Sequence, residues 1–168
     1  MIYICGLRAV AASAAQVHPR HLISITDPDT PAPVVPGLAG AQHLTLAFHD
    51  VEVAPPGMVA PQQEHVEQIL TFAAGWDRQH PLLVHCHAGV SRSMAAAVIV
   101  QGMLRPGREA DITRLLRQRA PHAFPNRRMI ALADALLGCA GRLIAAVEAM
   151  GPDTPVDGEG PLVHLWLE

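Results

Sequence analysis

Apolar residues in this chain follow two rhythms. Four short runs, Ile2–Leu7, His21–Thr26, His43–Phe48 and Leu82–His85, are rich in Ile, Leu and Val and are bounded by Pro, Gly or Asp turns, the pattern of strands. Elsewhere the apolar positions recur at spacings of three and four, the pattern of helices. Pro61 to Trp76 has a proline in its first turn and sets Val66, Ile69, Leu70 and Ala73 on one face. Ser91 to Leu104 is apolar nearly all round, which predicts a buried helix. Ala110 to Arg119 puts Ile112, Leu115 and Leu116 on one side. Asn126 can cap a fourth helix, whose stripe runs from Met129 through Ala140 and on through Leu143, Ile144 and Val147, with a bend expected near Gly138 or Gly141. Residues 28–40, with four prolines and two glycines, predict an irregular surface loop. Residues 151–161 predict another, and Leu162–Leu167 an edge strand or an ordered tail.

Strands alternating with helices predict an α/β fold: a central, mostly parallel sheet of four to five strands flanked by helices. The 168 residues suit one domain, 1–168, with 151–168 as its tail or edge strand. In such sheets ligands sit beyond the carboxyl ends of the strands.

Composition narrows the chemistry. A net charge of −3 gives no basic coat for nucleic acid, and no apolar run reaches the length of a membrane span. All twelve basic residues are Arg, so a lysine-dependent nucleotide loop is excluded, and a bound phosphate would be held by Arg forks and backbone N–H groups. The three cysteines, Cys5, Cys86 and Cys139, are odd in number and far apart, which is no disulfide framework and fits a reducing compartment. The apolar N-terminus has no positive charge before it and is broken by Arg8, the reverse of a signal peptide. The expected setting is the cytoplasm.

The segment that carries chemistry is residues 82–104, in which an apolar strand enters a tight turn that opens a buried helix. The turn is His85-Cys86-His87-Ala88-Gly89-Val90-Ser91-Arg92-Ser93. Successive backbone N–H groups in such a turn point inward, and the helix start adds its own unpaired N–H groups and positive dipole end. Cys86 faces that field, which favours the thiolate. Arg92 can return its planar fork over the turn and grip two phosphate oxygens. Ser93 can donate to the Cys86 sulfur, and Gly89 permits a backbone conformation that a side chain would obstruct. His80, His85, Cys86 and His87 are close in sequence, but no second ligand pair stands at structural-zinc spacing, so neither metal nor cofactor is expected.

His85-Cys86, five residues, then Arg92-Ser93 resembles the signature of the protein tyrosine phosphatase superfamily. The interior Ala88-Gly89-Val90-Ser91-Arg92-Ser93 is most similar to the dual-specificity branch and its small bacterial relatives. The resemblance implies a phosphocysteine intermediate on Cys86, with Arg92 and the N–H groups of His87, Ala88, Gly89, Val90 and Ser91 holding phosphate, and no metal. It also implies an Asp on a loop upstream of the cysteine as general acid. Asp50, directly after the third strand, is the first candidate, because a strand–helix–strand crossover brings its strand end to the same sheet edge as Cys86. Glu52 is the runner-up, with Asp27 and Asp29 behind it. Residues 54–60 can shape the mouth. His85 is expected to fix the turn by a local hydrogen bond. The Pro125-Asn126 pair resembles a segment that follows the catalytic helix in dual-specificity phosphatases, where the Asn sits near the active loop; a plain helix cap is the alternative.

The implied substrate is a phosphorylated molecule, in the first instance a phosphoprotein carrying phospho-Tyr, -Ser or -Thr. Aromatic residues are only 4% of the chain, so no deep aromatic wall is expected; Phe48, His49, His87 and Val90 are the candidate rim. A phosphatase of phospholipids and an inactive phosphopeptide-binding module are the rival readings.

Overall fold

The computed structural model describes residues 1–36, 38 and 42–168. Eleven elements follow in the order β1 (Ile2–Cys5), α1 (Val10–Val17), β2 (His21–Thr26), β3 (His43–Ala47), α2 (Gln63–Ala74), β4 (Leu82–His85), α3 (Arg92–Leu104), α4 (Glu109–Arg119), α5 (Arg127–Leu136), α6 (Arg142–Glu148) and β5 (Val163–Leu165). The strands form one sheet in the order β3-β2-β4-β1-β5. The first four are parallel, and β5 pairs antiparallel with β1, Ile2 facing Leu165. The final apolar segment is therefore an edge strand. No helix among the described residues is long and apolar enough to cross a membrane.

β4 lies at the centre of the sheet, and all four of its residues are buried. That is why it reads as a continuous apolar run. Its odd and even side chains serve two cores. Leu82 and Val84 face the large cluster under α2, α3 and α5, while Leu83 faces a smaller one with Cys5, Val10, Ala14 and Leu22 under α1. Helix α3 has every residue from Arg92 to Gly102 buried, consistent with its uniformly apolar sequence.

Three expectations need correcting. Helix α1 was not predicted: it is short and Ala-rich, and its first turn has no side-chain cap. Helix α2 begins at Gln63, not at Pro61, because Gln62 and His65 form a reciprocal capping box two residues later. The long apolar stripe after Asn126 is two helices rather than one bent helix. Gly138, Ala140 and Gly141 all have positive φ, and the buried Asp134 accepts from the backbone N–H groups of Gly141 at 2.7 Å and Leu143 at 2.9 Å. One carboxylate ends α5 and caps α6. Of the expected 28–40 loop, residues 28–36 and 38 carry no helix or strand, and Gly37, Ala39 and Gly40 lie outside the described residues.

Candidate active site

Cys86 follows β4 directly and is only 2% exposed. Its Sγ lies 3.1 Å from the Oγ of Ser93, in the first turn of α3. The loop between them has a marked polar asymmetry. Its carbonyls point outward and are taken: Leu7 N–H donates to His87 (2.9 Å), Gly160 to Ala88 (2.8 Å), Phe124 to Val90 (2.9 Å) and Ala95 to Ser91 (2.9 Å). Among the described residues, no backbone N–H from His87 to Arg92 donates to any acceptor in the protein. A row of unpaired N–H groups beside a helix start is an anion-binding concavity. Gly89 makes this folding possible. Its φ is +72°, and a Cβ there would come within 2.7 Å of the Cys5 and Gly6 backbone.

Arg92 is 3% exposed and is held along one side. Its Nη1 donates to Asp27 Oδ1 at 2.7 Å and to the Phe48 carbonyl at 2.5 Å. Its Nε is buried with no partner. The Nε–Nη2 edge, the edge that forks two oxygens of a phosphate, is thus left for a ligand. Asp27 is consequently the counter-ion of Arg92.

Asp50 is exposed at the mouth and is held through Oδ1, which accepts from Ser91 Oγ at 2.7 Å and from Asn126 Nδ2 at 2.8 Å. Asn126 also caps α5, its Oδ1 accepting from Met129 N–H at 3.0 Å. It therefore joins the start of α5 to Asp50. The lip that carries Asp50, residues 49–60, is pinned by contacts that sequence reasoning missed. Arg128, on the first turn of α5, donates to the carbonyls of Pro61 (2.6 Å) and Glu52 (3.3 Å). His49 Nδ1 accepts from Val59 N–H at 2.9 Å.

His85 is fully buried, and burial lowers its pKa to about 4, so the ring is neutral. Its Nδ1 donates to the Cys86 carbonyl at 3.3 Å, which makes Nε2 the acceptor for Ser24 Oγ at 2.7 Å. Ser24 accepts in turn from His43 Nε2 at 2.7 Å. Three hydrogen bonds thus run in one direction across β3, β2 and β4 and end on the carbonyl of Cys86 (the local tether expected of His85, extended by two residues).

Cys86, Asp50, Asp27, Arg92, His87, Ala88, Val90 and Ser91 line one cavity of about 530 Å³. His49, Val51 and Met58 enter it from the lip, and Val156 and Gly158 from the segment before β5. Neither Glu52 nor Asp29 is among its lining residues. Phe48 is not a rim residue: it is fully buried and stacked on His65, and only its carbonyl reaches Arg92. No sequence signal pointed to Val156 or Gly158, since a Gly- and Pro-rich segment does not reveal where it packs. Cys5 aligns with His85 and packs in the smaller core, on the sheet face opposite Cys86. Burial pushes its thiol up to about 11, and all three cysteines are free.

No family model matches the sequence, and no curated protein does. Solved structures do. Human DUSP28 superposes with a TM-score of 0.60 at 20% identity, covering 89% of this chain and 92% of its own. The fold is that of the dual-specificity phosphatases. A human tyrosine phosphatase-like serine/threonine/tyrosine-interacting protein shares this fold with a TM-score of 0.65 at 17% identity, over 83% of this chain and 92% of its own. PTPMT1 in complex with PI(5)P gives 0.61 at 11% identity, over 82% and 90%. In the dual-specificity phosphatase fold of this chain, the loop from Cys86 to Ser93 holds the cavity floor at the carboxyl end of the central strand.

Proposed function

We propose that this protein is a cysteine-dependent phosphatase that hydrolyses phosphate monoesters, phosphoproteins first among them. The observation that carries this reading is the polar asymmetry of the 87–92 loop: its N–H groups have no acceptor among the described residues, four of its carbonyls are paired, and His87, Ala88, Val90, Ser91 and Arg92 line one cavity with Cys86. The anion would take those N–H groups and the Nε–Nη2 edge of Arg92, placing phosphorus above Cys86 Sγ.

The Cys86 thiolate attacks phosphorus, an S–P bond forms and the P–O bond to the leaving group breaks. Asp50 gives its proton to the departing oxygen from Oδ2, since Oδ1 is occupied by Ser91 and Asn126. A water then attacks the phosphocysteine, Asp50 takes back a proton, and the S–P bond breaks to release inorganic phosphate. Ser93 Oγ–H, 3.1 Å away, stabilises the sulfur as it leaves. The tether from His85 to the Cys86 carbonyl keeps the nucleophile's backbone in place.

A reducing, cytoplasmic setting suits three free cysteines. A phospholipid substrate is the second reading, favoured by the fold shared with a protein solved in complex with PI(5)P. Turnover of an aryl phosphate tests the activity. The wild-type protein is expected to release phosphate, and acid quench followed by mass spectrometry to find phosphate on Cys86. The Cys86→Ser variant is expected to bind vanadate yet turn over nothing. Wild-type activity no greater than buffer would leave a phosphopeptide-binding module instead.

A further inference from the structure

Five carbonyls between Cys86 and Ser91 are tied, and the ties differ in kind. Those of His87, Ala88, Val90 and Ser91 accept from backbone N–H groups, of Leu7, Gly160, Phe124 and Ala95. The carbonyl of Cys86 accepts from a side chain, Nδ1 of His85. None of these donors lines the cavity. The peptides of the loop are planar and trans, so a carbonyl held one way turns the N–H of the next residue the other way. The tie on Cys86 thereby sets the direction of the His87 N–H, the first donor of the anion cradle. Among the described residues, it is the one tie on this loop that a side-chain substitution can remove.

His85 does not hold this tie alone. A carbonyl can only accept, so the single proton of the neutral ring sits on Nδ1, and the buried Nε2 needs a donor. Ser24 supplies it from the position directly opposite His85 in the register of β2 and β4. The one hydroxyl proton of Ser24 is then committed to His85, so His43 Nε2–H is the donor to Ser24 Oγ. His43 stands two residues from Thr45, the β3 partner of Ser24, which is the diagonal neighbour on the same sheet face. The carbonyl at one end thus dictates every proton in the chain. Ser24 is fully buried between Ile23 and Ile25, where a hydroxyl without partners destabilises the fold and an alanine would not. Neither Ser24, His43 nor His85 lines the cavity, so their influence on chemistry passes through the Cys86 peptide.

Resting on the phosphatase reading, we propose that Ser24 and His43 are positioning residues: they lock His85 in its Nδ1–H form and, through the Cys86 carbonyl, aim the His87 N–H at the phosphate. Each link polarises the next, so loss of the far link weakens the near one.

The first test is spectroscopic. Two-bond proton–nitrogen spectra of protein labelled at histidine, assigned by the signals lost in His85→Gln and His43→Gln, should place the proton on Nδ1 of His85 and on Nε2 of His43. A His85 ring protonated on Nε2 instead overturns the proposal, whatever the activity. The second test reads kcat/KM for an aryl phosphate together with calorimetric binding of tungstate. Ser24→Ala should weaken both about tenfold, less than the about 10²–10³-fold that outright loss of an oxyanion donor costs. His43→Leu should weaken both about threefold, and His43→Gln, which keeps an N–H near the same place, should recover most of that loss. Both variants remove the same ring, so a merely structural role would treat them alike. Equal losses in the two, or none in Ser24→Ala, overturn the proposal; if Ser24→Ala does not fold, the His43 pair decides. If wild type binds tungstate with this ranking but turns over nothing, the positioning stands and the phosphatase reading falls. Turnover without the ranking removes the positioning alone, and no tungstate binding by wild type removes both.

Discussion

The two sides of the cavity are built by opposite means. The floor is anchored in the core at both ends of its turn: Cys86 is 2% exposed, Arg92 3% and Ser93 0%, and α3 is buried from Arg92 to Gly102, while His87 in the turn is exposed. It is a strand, a turn and a helix contiguous in sequence, clamped from outside through its carbonyls. The lip is exposed along residues 52–59 and is held by a few polar contacts from distant elements: Asn126 and Ser91 on Asp50, and Arg128 on Glu52 and Pro61. The proposed nucleophile and anion site are thus fixed by close packing, which resists small displacements. The proposed proton donor, Asp50, is fixed by hydrogen bonds near solvent, each worth about 1 kcal/mol. Damage to the floor should abolish chemistry, and damage to the lip should tune it.

The largest effect expected is at the floor. Arg92→Lys replaces a fork by a point charge that cannot span both Asp27 and two phosphate oxygens; kcat/KM for aryl phosphate should fall about 10³-fold. A loss below tenfold would mean that the backbone N–H groups alone bind the anion. Next comes a pH effect on the floor's support. The pKa of His85 is about 4 in the folded protein because of burial, and about 6.5 when unfolded. Between these values the unfolded chain takes up a proton that the folded chain refuses, so acid favours unfolding. Stability should be intact above pH 7 and fall by roughly 3 kcal/mol as pH drops to 4, read as a shift in urea midpoint. Burial lowers the pKa of His43 as well, which adds in the same direction. His85→Gln should flatten the profile, and a wild-type profile already flat would contradict the buried, neutral ring.

Effects at the lip should be smaller and depend on substrate. Asp50→Asn keeps an oxygen for Ser91 and Asn126 but has no proton to give. It should cut kcat about 10²-fold for alkyl phosphates and little for a nitrophenyl ester, whose leaving group needs no acid. Equal losses on both substrates would make Asp50 a binding residue. The smallest effect is expected of Arg128→Ala, which frees the carbonyls of Pro61 and Glu52. About 1 kcal/mol of stability and a few-fold of kcat on alkyl phosphates should go, with aryl phosphate turnover unaltered.

The same contrast governs what the sequence discloses. The floor is local, so its residues could be read in a line: apolar run, Cys86, Gly89, Arg92-Ser93, buried helix. β2 and β4 appear at the bounds expected, β2 because its apolar run stops at Asp27-Pro28 and β4 because its run starts after Pro81. What assembles over long separations was hidden. Asp27 was weighed as an acid, but its place against Arg92 depends on β2 lying beside β4. Arg128 looked like any first-turn arginine. The break between α5 and α6 rests on where one buried Asp134 points, which hydrophobic spacing does not encode. Helix α1 went unseen because runs of alanine carry too little amphipathic contrast to mark a face.

The antiparallel pairing of Ile2 with Leu165 has a consequence for biosynthesis. Strand β1 keeps one edge open until β5 (Val163–Leu165) has been made. The Gly160 brace on Ala88 arrives at the same late moment. Contacts so far apart in sequence close slowly. A nascent chain would therefore carry Cys86, Arg92 and Asp50 for some time without the finished pocket, so competence to react is deferred until Gly160 and β5 have emerged.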